Sequence, residues 1–108
     1  MMPDLKELIE ALGSTREQIV ASLTACGITG EVDQANLCPI ANYLRWEEWE
    51  SPEVCLAYVV ARRGEMTSSL DVSTLTNRAA VRSFIALFDK REIPQLITPK
   101  ESADGSAV

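Results

Sequence analysis

Residues Val54 to Ala61 form an unbroken apolar run. It follows the helix-breaking pair Ser51-Pro52 and precedes the turn-forming Arg62-Arg63-Gly64-Glu65. A short apolar run between turn signals reads as a strand covered on both faces. Val54, Leu56, Tyr58 and Val60 fall on one face, and Cys55, Ala57, Val59 and Ala61 on the other. The alternating stretch Ser69-Leu70-Asp71-Val72-Ser73 supplies an antiparallel partner, with Gly64 near the hairpin tip. An isolated hairpin is marginal in water, so this one has to bury a face against helices.

The helices are legible from their stripes. Leu5, Leu8, Ile9 and Leu12 recur at helical spacing, with Pro3 suited to the first turn and Gly13 to the stop. Ser14 and Glu17 are spaced as a capping box for a second helix, whose stripe is Ile19, Val20 and Leu23. Gly27-Ile28 suits its stop with a hydrophobic clasp. Thr29 to Leu37 is a polar connection. Pro39 starts a third helix with Ile40, Tyr43 and Leu44 facing inward. Thr76 is placed to cap a last helix striped by Val81, Phe84, Ile85 and Phe88, and Ile93 to Ile97 adds a short final turn.

The fold expected is α+β: a two-stranded antiparallel hairpin packed with about four helices, in the order α-α-α-β-β-α. One domain is expected over residues 1–98, and the polar stretch 99–108 is expected to be a disordered tail. The alternative is a winged-helix-like arrangement, which also places three helices before a hairpin. About eleven residues separate the second and third helices, where that fold uses a turn of ~3–4.

At 108 residues the chain can bury a core without disulfides or metals. No apolar run reaches the length of a membrane helix, and the first residues lack the basic and apolar regions of a signal peptide. A cytoplasmic location is expected, where Cys26, Cys38 and Cys55 are reduced, mostly buried thiols. The net charge of −6 is unevenly spread: residues 1–53 hold 10 acids and 3 bases, residues 54–108 hold 6 acids and 7 bases. Nucleic-acid binders show a basic footprint instead, so nucleic acid is disfavoured as a partner.

Chemistry-bearing patterns are sparse. The chain has no histidine. Its cysteines have 11 and 16 residues between them, without the close pairs of a zinc site. No glycine-rich phosphate loop or calcium loop is present. No cofactor, metal site or catalytic set is expected. Cys38, just before a proline-started helix, is the best candidate for a cysteine-dependent enzyme, since a helix N-terminus lowers a thiol pKa. A cysteine nucleophile needs a base, and a buried structural thiol is the expectation here.

Two groupings point outward. Trp46 and Trp49 are framed by Glu47, Glu48, Glu50 and Glu53. Tryptophan anchors protein interfaces by covering a large area at low entropy cost, and an acidic frame suits a partner carrying Arg or Lys. Trp49 falls roughly opposite Ile40 on a helical wheel. Either the helix ends before it, or Trp49 is exposed; the interaction reading takes it as exposed. Arg62, Arg63, Arg78 and Arg82 are the only basic grouping. They offer a weak anion site, or pairing with the chain's acids. The overall expectation is a non-enzymatic protein–protein interaction module, acting on another protein or on itself through segment 45–53 or the hairpin edge.

Ala25-Cys26-Gly27-Ile28-Thr29-Gly30, followed by Cys38-Pro39-Ile40-Ala41-Asn42-Tyr43-Leu44, resembles small uncharacterised bacterial proteins of actinobacterial type. Ala80 to Asp89, with Pro94 and Leu96, is similar to them too. The resemblance implies a small α+β protein and brings no activity or site residue with it.

Overall fold

The computed structural model describes residues 4–98. The chain runs α1 (Leu5–Ala11), α2 (Arg16–Ala25), α3 (Pro39–Trp46), β1 (Glu50–Val54), β2 (Tyr58–Arg63), β3 (Met66–Asp71) and α4 (Arg78–Asp89). Short 3-10 turns follow β3 at Val72–Thr74 and α4 at Pro94–Leu96. The architecture is α+β, with four helices and a three-stranded antiparallel sheet in the order β1-β2-β3.

Three strands replace the expected two, and the reason lies inside the apolar run. Val54 closes β1, Leu56 and Ala57 turn the chain, and Tyr58 opens β2. The turn is closed by the Cys55 N–H donating to the Tyr58 carbonyl at 2.8 Å. Val54, Val59 and Ala61 are buried, whereas Leu56 and Tyr58 are exposed. An apolar stretch has no period to mark a turn within it, so two strands read as one. The second hairpin does have Gly64 at its tip, with Arg63 paired to Met66. Its outgoing strand starts three residues earlier than the alternation at Ser69, and Val72 belongs to the 3-10 turn beyond it.

The helix stripes form one core. Leu5, Leu8, Ile9, Ile19, Leu23, Ile40, Leu44, Val81, Phe84 and Phe88 are all buried in it. Asp4 caps α1 in a reciprocal box with Glu7; Pro3 lies outside the described residues. The cap of α2 is one residue later than expected. Thr15 accepts from the Gln18 N–H at 3.1 Å, and Gln18 Oε1 accepts from the Ser14 N–H at 2.8 Å. Asn77, rather than Thr76, precedes α4, and its side chain is used elsewhere. Its Nδ2 donates to the Ile9 and Gly13 carbonyls at 3.1 and 2.8 Å, so a residue before the last helix satisfies carbonyls at the end of the first.

The end of the described chain is clipped onto the long loop. The Gly30 N–H donates to the Leu96 carbonyl, and the Thr98 N–H to the Gly30 carbonyl, both at 2.8 Å. A Cβ at Gly30 would stand 2.5 Å from the Leu37 carbonyl oxygen and the Pro39 nitrogen. Only glycine permits so close a backbone approach. Ile93 and Leu96 are buried, as expected of a final turn on the core. The expected tail, residues 99–108, lies outside the described residues. Among those described, no helix is long and apolar enough to cross a membrane.

Candidate interaction surface

Where α3 stops decides which tryptophan faces out. Its final carbonyls are taken by two turn-back bonds. The Glu48 N–H donates to the Arg45 carbonyl and the Trp49 N–H to the Leu44 carbonyl, each at 2.9 Å. This is the Schellman pattern, which needs a left-handed residue just past the cap. Glu48 fills that place with φ +73°. The reversal throws Trp49 back onto the core. Trp49 is 3% exposed and Trp46 is 60% exposed. The expectation of an exposed Trp49 is therefore overturned: the helical wheel stops applying at Trp46.

Trp49 is held by more than apolar neighbours. The Arg63 guanidinium carbon sits 4.0 Å from its ring centre, and Arg63 Nη2 donates to the Glu47 carbonyl at 3.4 Å. This cation–π contact joins β2 to the end of α3. The Trp49 Nε1 is buried and has no hydrogen-bond partner among the described residues.

Trp46 packs on one side against Tyr43, with ring centres 6.3 Å apart and planes 20° from parallel. Its remaining surface is open. Glu48, Glu50 and Glu53 are exposed nearby in the chain, and Glu47 is half-buried. Of the six residues singled out in this segment, Trp46 and the exposed glutamates remain available to a partner and Trp49 does not.

The four arginines do not converge on one anion site. Arg62 and Arg63 sit at the Gly64 end of β2, with Arg62 opposite Glu50 on β1. Arg82 Nε donates to the Leu56 carbonyl at 3.1 Å, in the turn at the other end of β2. Arg78, one turn earlier on α4, donates to the Leu75 carbonyl at 3.3 Å. Arg63 is committed to Trp49, and the Arg62–Arg63 pair and Arg82 lie at opposite ends of β2.

Cys38 is buried, as expected, and it caps α3. Its Sγ accepts from the Ala41 N–H at 3.4 Å. Burial pushes its pKa up from 9.0 to about 11, outweighing the Ala41 and Ile40 N–H groups that favour the thiolate. The effect of burial on the thiol is thus larger than that of the helix N-terminus. Cys26, expected in the core, is exposed beyond the end of α2, and Cys55 is half-buried. Cys38 and Cys55 share a groove of about 330 Å³ with Val54, Phe84, Phe88 and Asp89. Among the described residues, no three His, Cys, Asp or Glu side chains group to hold a metal ion.

No family model, curated protein or solved structure matches this chain.

Sequence reasoning missed three exposed apolar side chains, Leu56, Tyr58 and Met66. Leu56 and Tyr58 were hidden by the assumption of a continuous strand. Met66 gave a usable signal, since it stands two residues past Gly64 and so flanks the hairpin tip.

Proposed function

We propose that this chain is a small cytoplasmic, non-enzymatic interaction module, whose anchor is Trp46 at the end of α3. One observation carries the reading. Trp46 is 60% exposed on a helix whose Ile40, Tyr43 and Leu44 are all buried. An exposed indole in a fixed helical position, backed by Tyr43, is preorganised to fill a partner's pocket. The exposed Glu48 and Glu50 favour a partner that presents Arg or Lys beside an apolar side chain. Nucleic acid is disfavoured by the same charges, because phosphate is repelled from an acidic helix end. Cys38 supports the non-enzymatic reading, since a thiol with a pKa of about 11 is protonated at neutral pH and the chain has no histidine to activate it.

The test is a titration with short peptides that pair arginine with leucine, read by tryptophan emission in the wild type and by calorimetry in wild type and variants alike. Binding should shift the Trp46 emission to shorter wavelength. Trp46→Ala should weaken the tightest peptide by about thirtyfold, which is the loss of an anchor of about 2 kcal/mol. Glu48→Lys should weaken it further at low salt than at high salt. Equal binding by wild type and Trp46→Ala would remove this surface from consideration.

A further inference from the structure

The sheet has two edges, and they are built differently. β1 is blunted. It carries Pro52, its register slips between Glu50 and Glu53, and the Val54 N–H is already bonded to the Ala35 carbonyl at 2.9 Å. Proline, a bulge and a covering loop are three devices that keep an edge from pairing with another chain. Among the described residues, β3 has none of them. Its residues, Met66-Thr67-Ser68-Ser69-Leu70-Asp71, include no proline and no charge before Asp71. Met66, Thr67, Ser69 and Asp71 are exposed, while Ser68 and Leu70 are half-buried on the inner face.

The register says which backbone groups are offered. Arg63 and Met66 flank a two-residue turn and so form a hydrogen-bonded pair. Ser68 with Ala61 and Leu70 with Val59 are then bonded pairs as well. The N–H and C=O groups of Thr67 and Ser69 point away from the sheet, as does the N–H of Asp71. The Asp71 carbonyl accepts from Thr74 Oγ1 at 2.6 Å, leaving a second lone pair.

We propose that β3 pairs antiparallel with β3 of a second copy of this chain, across a two-fold axis between the two Ser69 residues. That register bonds Ser69 to the partner's Ser69, and Thr67 to the partner's Asp71. Every outward group of the edge is then used. It also places charges well. Arg62 stands directly opposite Thr67 within one copy, so it lies two strands from Asp71 of the partner, about 10 Å between Cα atoms. The small Thr67 side chain lies between them on the same face, and an extended arginine spans that distance. The two-fold repeats the contact, giving two Arg62–Asp71 pairs and no like-charge pair along the edge. The continuous sheet would have six strands, with the blunted β1 edges outermost, so assembly stops at two. This surface is separate from Trp46, and either can fail without the other.

Sedimentation velocity across a range of concentrations tests it. The wild type should shift from monomer to dimer as concentration rises into the high micromolar range. Ser69→Lys sets two lysines face to face on the axis at an exposed position, and should shift the dimer constant by tenfold or more toward monomer with an unchanged melting temperature. Arg62→Glu should weaken the dimer severalfold, and more at low salt than at high salt. Trp46→Ala should leave the dimer intact. A wild type that stays monomeric near 1 mM, or a dimer that survives Ser69→Lys, overturns the proposal. So does a dimer lost on Trp46→Ala and kept in Ser69→Lys, which would move self-association to the other surface.

Discussion

The Arg63 guanidinium lies 4.0 Å from the centre of the Trp49 ring, so the residue just before the Gly64 turn clamps the residue just after α3. A charged side chain covers one face of the indole that stands just before the sheet. This contact makes Trp49 a joint between two elements, and it separates the roles of two tryptophans three positions apart.

Trp49→Ala should destabilise the fold by about 3–5 kcal/mol, as removal of a large buried aromatic does. Arg63→Ala should cost about 1–2 kcal/mol through lost stacking and packing. Trp46→Ala should change stability by less than about 0.5 kcal/mol, because its ring is exposed. Urea denaturation of the three variants checks the order.

Two helices end on a left-handed residue that is not glycine. Glu48 closes α3 with φ +73°, and Arg91 closes α4 with φ +63°. Past α4 the Glu92 N–H reaches back to the Leu87 carbonyl at 2.9 Å, which repeats the pattern at Trp49. α2 uses glycine for the same purpose, Gly27 at φ +72°. Glu48→Gly and Arg91→Gly should each stabilise the protein by about 0.5–1 kcal/mol, since glycine carries no left-handed penalty. Thermal melts of both single variants and the double variant check this. The two sites lie on separate helices, so their effects should add.

Cys38 makes stability fall at high pH. Its folded-state pKa is raised from 9.0 to about 11, so the unfolded chain loses the thiol proton first. The contribution is complete below pH 9 and declines as pH rises toward 11. Tyr43, raised mainly by burial, and Tyr58, raised mainly by its hydrogen bond to Cys55, slope the same way. The informative quantity is therefore the difference between wild type and Cys38→Ala, which should shrink across that window. At neutral pH a thiol reagent should modify Cys26 quickly and Cys38 only on unfolding.

Asn77 should tolerate little. It is 4% exposed, and its Nδ2 serves the Ile9 carbonyl in α1 and the Gly13 carbonyl just beyond it. Asn77→Ala should cost about 1–3 kcal/mol by taking the donor from the Gly13 carbonyl, while the Ile9 carbonyl keeps its bond from the Leu12 N–H. Asn77→Asp should cost more, because it removes both donors and turns a carboxylate toward two carbonyl oxygens. Melting temperatures of the two variants at pH 7 establish the ranking.

Much of the fold is legible because helices announce themselves locally. A stripe such as Val81, Phe84, Ile85 and Phe88 must face a core wherever the helix lies, and all four are buried. The Gly64 turn is equally local, since a tight hairpin needs left-handed backbone and glycine supplies it. Other features depend on partners distant in sequence. The turn at Leu56-Ala57 falls in a run with no polar marker, and only pairing against β2 divides it. The stop of α3 is written on a glutamate that a local reading places inside the helix. Trp49 is buried because the chain reverses at Glu48, and Arg63, fourteen positions later, comes to lie over its ring. The sequence by itself determined the helices, the α+β class and the buried Cys38, because period and burial are short-range properties of side chains. Tertiary structure alone decided the third strand, the inward Trp49, the outward Trp46 and the scattering of the four arginines. Each of these follows from how the chain reverses and what it meets afterwards, which no local pattern of residues encodes.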